Sequence, residues 1–414
     1  MVARFATLRA LAAVGVSAWL MALSCSDDGK PEVSKPKADA GDAGGAGGQG
    51  GAPDASGGSG AADAAVDADA SDAPVSPLRL GIIPVPPSTT DAGPSPADQK
   101  LAELDVIALG SRGVSQVLPW KQLFESPSAP APAAWAKLEA VSKLYQGSGR
   151  DLLVCLALVD RTLDARPPGS APSFGDATTV AALEALIDKV FATYGKELYA
   201  LSFGNELDRY FSSHGTKEAA ELAALVEHGI DYAQKHPKKP AALQIGATFS
   251  AQSLTGTLAP SIASILQKSD VVVTTYYPLD ASFAARPPSG VAQDLDALPS
   301  QLGGDAAPPR PILLQEVGYP SAAANKSSPD QQKAFYQALA QALTGRRARF
   351  PFVSINGLND LHPAACASEA AAFGAPASAA AVAARCSLGL RGAGETDKPA
   401  MASVLEALAA FSSP

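Results

Sequence analysis

From Leu78 onward the chain alternates short, mostly continuous apolar runs with longer stretches in which apolar positions recur at helical spacing. The apolar runs are Leu80–Val85, Val114–Pro119, Leu152–Val159, Tyr199–Phe203, Leu243–Thr248, Val271–Tyr276, Ile312–Gln315 and Phe352–Ile355. They read as strands buried on both faces, the pattern of a parallel sheet. The helical stretches are Ala97–Leu109, Ala133–Tyr145, Val180–Tyr194, Lys217–Lys235, Leu254–Gln267, Ala292–Leu302, Pro329–Leu343 and Ala400–Phe411. In the third of these, Leu183, Leu186, Ile187, Val190 and Phe191 fall on one helical face.

This alternation predicts an α/β fold, a (β/α)8 TIM barrel over residues 77–414. A doubly wound open sheet would need a glycine-rich turn after its first strand. Here Pro84-Val85-Pro86-Pro87 follows, which lacks the backbone N–H groups to cradle a phosphate. The segment ahead of the barrel has another character. Residues 1–25 carry Arg4 and Arg9, then the apolar stretch Leu11–Leu23, and Ala22-Leu23-Ser24 precedes Cys25. That reads as a lipoprotein signal peptide with Cys25 as the lipidated residue, and so as export to a lipid anchor in a bacterial cell envelope. Residues 26–76 are almost all Gly, Ala, Asp, Ser and Pro, and predict a disordered linker between the anchor and the folded domain.

Composition narrows the function. The 414 residues carry a formal charge of −9, which offers no basic surface to a phosphate backbone and argues against nucleic-acid binding. No apolar run in the body reaches the roughly 18 residues of a membrane span. The four histidines, His214, His228, His236 and His362, show no ligand spacing, so neither a metal nor another cofactor is expected. Cys155 lies within an apolar run and reads as a buried small hydrophobe, whereas Cys366 and Cys386 flank an Ala-rich loop and are expected to form a disulfide in an exported protein. A monomer is expected.

The candidate chemistry sits at two strand ends. In LYALSFGNELDRYF, Leu198–Phe211, an apolar strand stops at Gly204 and delivers Asn205 and Glu206 to its edge. In PILLQEVGYPS, Pro311–Ser321, a second strand ends in Glu316, followed by Gly318, Tyr319 and Pro320. Two glutamates at the C-terminal ends of strands 4 and 7 would meet across a barrel mouth, and paired carboxyls are what glycosidic hydrolysis uses. Tyr276 and Tyr277 end strand 6 and Trp120 follows strand 2; all three are candidate sugar contacts, Trp120 as a stacking platform. Asp160-Arg161 and Asn359-Asp360 are expected to make local loop hydrogen bonds, and Asp208-Arg209 to pair locally or support Glu206.

The GNE of strand 4 together with the strand-7 glutamate resembles the clan A glycoside hydrolases, retaining (β/α)8 enzymes acting mostly on β-linked sugars. The wording of EVGYPS is similar to the nucleophile region of several endo-β-glycanase families. The resemblance implies Glu206 as acid/base, Glu316 as nucleophile, Asn205 as a contact to the sugar 2-hydroxyl and a strand-6 tyrosine, Tyr277, as hydrogen-bond donor to the nucleophile. It implies a polysaccharide or oligosaccharide substrate and a Glu206 carboxyl raised in pKa by Glu316. Two positions depart from the clan pattern. Ile355-Asn356-Gly357-Leu358-Asn359-Asp360 holds no tryptophan after strand 8, and Ser115-Gln116-Val117 holds no arginine near strand 2. The alternative reading is a non-catalytic glycan-binding or structural lipoprotein on the same scaffold.

Overall fold

The computed structural model describes residues 77–87, 95–298, 310–372, 378–392 and 394–412, with side chains of 368–377 left aside. The expected signal peptide with Cys25 and the linker over 26–76 lie outside the described residues. Eight parallel strands form the sheet: β1 (Arg79–Ile82), β2 (Gly113–Pro119), β3 (Asp151–Asp160), β4 (Leu198–Asn205), β5 (Gln244–Ser250), β6 (Val272–Tyr276), β7 (Ile312–Val317) and β8 (Phe352–Ile355). Hydrogen-bonded neighbours run β2-β3-β4-β5-β6-β7-β8-β1. The main helices are α1 (Pro96–Ala108), α2 (Pro132–Ser148), α3 (Ala177–Thr193), α4 (Thr216–Lys235), α5 (Pro260–Lys268), α6 (Val291–Ala297), α7 (Pro329–Thr344) and α8 (Pro399–Ser412).

The barrel closes between β1 and β2. The Arg112 amide donates to the Leu80 carbonyl at 2.9 Å, and Ile82 N donates to the Ser111 hydroxyl at 3.1 Å. A Cβ on Gly81 would stand 1.6 Å from the Gly113 carbonyl oxygen, so this seam tolerates no side chain.

The strands lack polar alternation because both faces are covered. The outer faces meet the helices in one large core that includes Leu152, Val154, Leu156, Leu158, Leu183 and Leu186. Inside the barrel Leu153, Cys155, Ala200, Val273, Leu313 and Phe352 form a smaller cluster. Cys155 is a free, buried thiol. Above this apolar layer the interior turns polar, with Ser115, Ser202, Thr248, Gln315 and Ser354 all buried. That polar layer lies toward the C-terminal ends of the strands.

Differences from the expected elements have local causes. The fifth helical stretch divides into a 3-10 turn, Ala251–Leu254, and α5, with Gly256 at φ +81° and Pro260 starting the helix between them. The sixth ends at Ala297 with Leu298 extended beyond it, and residues 299–302 of the expected stretch lie outside the described residues. Between β8 and α8 the Ala-rich insertion forms helices Pro363–Ala372 and Ala379–Cys386, joined by the Cys366–Cys386 disulfide with Cα atoms 5.4 Å apart.

One buried acid couples the helical layer to pH. Glu103 of α1 accepts hydrogen bonds from the Tyr145 hydroxyl of α2 and from Gln99 Nε2. Burial pushes its carboxyl up to about 7, against the pull of Tyr145, Gln99 and Lys137. A raised folded-state value favours the protonated acid. The Glu103 contribution is therefore complete below the ordinary value of 4.5 and is lost as pH rises toward about 7. Urea titration of wild type and Glu103→Gln at pH 4.5, 5.5 and 7 is expected to show the wild type losing roughly 3 kcal/mol relative to the variant across that window. A pH-independent difference would contradict the coupling.

Candidate active site

The end of β4 is shaped by two left-handed residues. Gly204 has φ +69°, and a Cβ there would stand 2.3 Å from Leu207. Glu206 itself has φ +53°, a conformation that costs a non-glycine residue of order 1 kcal/mol. The two turns bring consecutive side chains, Asn205 and Glu206, into the mouth of the barrel. Asn205 Nδ2 donates to Asp160 at 2.9 Å, and its Oδ1 accepts from Gln315 Nε2 at 3.1 Å. Glu206 accepts from the Thr275 hydroxyl at 2.7 Å and from Arg161 Nε at 3.3 Å, with Arg209 Nε at 3.4 Å.

On β7 the same result comes from a bulge. Leu314 pairs with Thr274 of β6, but Glu316 pairs with Thr275, leaving Gln315 as an extra residue. The register with β8 slips at the same place. Strand alternation would send Gln315 and Glu316 to opposite faces; the extra residue lets both point inward. Gln315 Oε1 accepts from Ser202 and Thr248, at 3.2 and 2.8 Å, which anchors it in the barrel interior. Glu316 then accepts from the Tyr277 hydroxyl at 2.6 Å.

Strand β6 spaces the two carboxyls. Thr275 bonds Glu206 and Tyr277 bonds Glu316. Thr275 lies on β6 and Tyr277 just past its end, and the charge of Glu206 is felt by Glu316, so the two carboxyls meet at one mouth of the barrel. Strand alternation removes Tyr276 from the site. Its hydroxyl donates to Asp294 of α6 at 2.7 Å and its ring packs on Phe335 of α7, so the expected sugar contact is instead an outer-face residue. Trp120 is likewise corrected. It opens a short helix, Trp120–Leu123, and its side chain is fully buried in the outer core, leaving no ring face for a sugar.

The charges order the carboxyls against expectation. Burial pushes Glu206 up, but Arg161, the Thr275 hydroxyl, Arg209 and Arg385 together outweigh it, and Glu206 sits below the usual carboxylate range. Glu316 sits above that range: burial dominates over Arg161, Tyr277 and Arg385, and Glu206 adds to the rise. Glu206 was expected to be the raised one. The reason for the reversal is Arg161, a buried cation in direct contact with Glu206. Tyr277 is held well above its ordinary value by burial and by Glu316, and remains a neutral donor.

Several site residues carried no clear signal in the sequence. Arg161 was expected to bond locally, but φ +56° and an amide bond to the Asn205 carbonyl at 2.8 Å turn it back over the site. Asn356, where the clan pattern has a tryptophan region, donates from Nδ2 to the Tyr277 hydroxyl at 2.6 Å. Gln315 required the bulge to be seen, and Arg385 arrives from the insertion. Asn359 and Asp360, expected to bond within their own loop, instead tie distant segments: Asn359 Nδ2 donates to the Val85 carbonyl after β1, and Asp360 accepts from Lys398 Nζ and Gly389 N. Asp208 accepts from Ser250, while Arg209 supports Glu206. Among the described residues no group of three or more His, Cys, Asp or Glu is placed to hold a metal ion. A cleft of about 640 Å3 lies elsewhere, on the outer face of α3 and α4, where His228 and His236 are already paired with Glu184 and Asp188.

No family model and no curated protein matches the chain. Solved structures do. A GH5_18 variant from Bifidobacterium longum subsp. longum, in complex with Manβ1-4GlcNAc, superposes with a TM-score of 0.60 at 19% identity, over 81% of this chain and 79% of that one. This chain shares the barrel fold of that glycoside hydrolase. A GH5_18 variant from Streptomyces cattleya, also with Manβ1-4GlcNAc, gives 0.58 at 16% identity and 81% of both chains. An exo-β-1,4-mannosidase from an Opitutaceae bacterium gives 0.56 at 18% identity, over 81% of this chain and 59% of that one. At these identities the likeness to the clan is one of fold.

The Arg161–Glu206 pair supplies a direct test of the site's electrostatics. Both side chains are buried, so removing Arg161 leaves the Glu206 charge with only the Thr275 hydroxyl and the more exposed Arg209. Arg161→Met is expected to lose roughly 3 kcal/mol of unfolding free energy in urea at pH 7. Arg161→Met with Glu206→Gln should recover most of that loss. A single variant as stable as wild type would show that the pair does not hold Glu206.

Proposed function

We propose that the barrel is a retaining glycoside hydrolase acting on β-linked glycans, with Glu316 as nucleophile and Glu206 as acid/base. The observation that supports this most is the shared pocket. Glutamates from the ends of β4 and β7 are hydrogen-bonded to Thr275 of β6 and to Tyr277 directly after it. In the first step Glu206 gives its proton to the glycosidic oxygen while the Glu316 carboxylate attacks the anomeric carbon, forming a glycosyl ester and releasing the aglycone. In the second step Glu206 takes a proton from water, which attacks the same carbon and frees Glu316. Tyr277 and Asn356 keep the Glu316 carboxylate oriented. Asn205, fixed between Asp160 and Gln315, contacts the sugar 2-hydroxyl.

The substrate panel follows from the fold relatives. Endo action on a β-glycan is the expectation from the sequence, and the likeness to an exo-β-1,4-mannosidase adds terminal β-mannosides. Comparing aryl β-mannoside, Manβ1-4GlcNAc and polymeric β-mannan as substrates separates the two modes. Export and lipid attachment at Cys25 belong to the same proposal.

The charge order favours a second reading, in which Glu206 is the nucleophile and Glu316 the acid, since Glu206 is held ionised and Glu316 is raised. Azide rescue decides between them. With an activated aryl β-glycoside, Glu316→Ala is expected to lose at least about a thousandfold in kcat and to be rescued by azide as the α-glycosyl azide. Glu206→Ala should yield the β-glycosyl azide. Exchange of the two anomers between the variants would establish the second reading, and full activity of Glu316→Ala would remove the catalytic assignment altogether.

A further inference from the structure

We propose that Arg385 is a positioning residue for the carboxyl pair: the disulfide-bonded insertion lays its guanidinium over Tyr277 and keeps the charge on Glu316 and Glu206 in place. This rests on the functional reading above and deepens it by adding a residue from outside the eight strand ends.

The geometry starts from the insertion. Arg385 directly precedes Cys386, whose disulfide partner is Cys366. One residue further on, the Ser387 carbonyl accepts from Ser321 N at 3.0 Å, Ser321 Oγ at 3.1 Å and Lys398 Nζ at 3.3 Å. Ser321 lies in the loop that follows β7 and Glu316. Leu388 then packs beside Gly318. A Cβ on Gly318 would stand 3.1 Å from Leu388 and 2.5 Å from the Tyr277 ring. The missing side chain at Gly318 thus lets the Tyr277 ring and Leu388, three residues beyond Arg385, close on the same backbone. With its helix fixed at both sides, Arg385 holds its guanidinium 6.0 Å from the Tyr277 ring centroid.

At that distance the ring attraction is at the outer limit of a cation–π contact, so the larger effect is that of the charge on the neighbouring carboxyls. The groups around the pair come from five strand ends and from the insertion. Asp160 ends β3 and Arg161 follows it, Glu206, Asp208 and Arg209 follow β4, Thr275 lies on β6 and Tyr277 just past it, Gln315 and Glu316 lie on β7, and Asn356 follows β8. Arg385 pulls both Glu206 and Glu316 down, the one cation that does so from the insertion. Tyr277 transmits its placement to Glu316 through the hydroxyl bond.

The test is a carboxyl titration by NMR on full-length protein carrying 13C at the glutamate side-chain carbonyl, with the two signals assigned by their loss in Glu206→Gln and Glu316→Gln. In Arg385→Gln both carboxyls are expected to titrate at higher pH, by at least about half a unit, and Arg385→Lys should restore most of the shift. Curves for Arg385→Gln that superpose on wild type would overturn the proposal, as would identical curves for the Gln and Lys variants. Hydrolysis is read separately. On a cleaved glycoside the acidic limb of kcat/KM should move with the carboxyls, a roughly threefold loss on the acidic flank of Arg385→Gln. If wild type cleaves none of the panel, the catalytic reading fails while the titration still decides the role of Arg385.

Discussion

A charge buried in a protein costs several kcal/mol unless it is paired, and here two carboxyls are buried together at the mouth of a barrel. Everything around them answers that constraint. Arg161 supplies a buried counter-charge, Thr275 and Tyr277 supply hydroxyl donors, and Arg209 and Arg385 add positive charge from the rim. None of these partners is adjacent to both glutamates in sequence. Only strand ends held in fixed register can assemble them, and the polar floor made by Ser202, Thr248 and Gln315 ties those strands across the interior. Asn205 links that floor to the pocket through Gln315.

The register is set by exceptions to strand regularity. Glycine at the β1–β2 seam permits closure, left-handed residues at Gly204, Glu206 and Arg161 re-aim the ends of β3 and β4, and the extra residue in β7 turns Gln315 and Glu316 the same way. Strained backbone at a site is kept only where its surroundings over-determine it. The hydrogen bonds of Asn205, Glu206 and Gln315 do that here.

Much of this was legible in the chain because it depends on pattern alone. Continuous apolar runs mark strands covered on both faces, and a glutamate just past such a run lies at the catalytic end of a barrel. Hence β4 with Glu206 and β7 with Glu316 could be read directly. What could not be read depends on parity and register. Whether Tyr276 or Tyr277 faces inward depends on which face Thr275 takes. The bulge at Gln315 exists only relative to β6 and β8. Trp120 looked like a platform because aromatic residues at a rim often are, but a short helix folds it into the outer core. Arg161 was hidden by a positive φ that no local rule requires of an arginine.

The charge order, Glu206 low and Glu316 high, follows from burial opposed by Arg161 and the hydroxyl donors, most strongly at Glu206. In the proposed assignment Glu206 has to act as proton donor, which requires a weaker hold by Arg161. The catalytic claim meets its most direct test in a covalent trap. A 2-deoxy-2-fluoro β-glycoside with an activated leaving group should inactivate the protein and leave one sugar on the peptide that contains Glu316, as read by mass spectrometry after proteolysis. A sugar on the Glu206 peptide, or turnover of the parent glycoside with no adduct on either glutamate, would contradict the account.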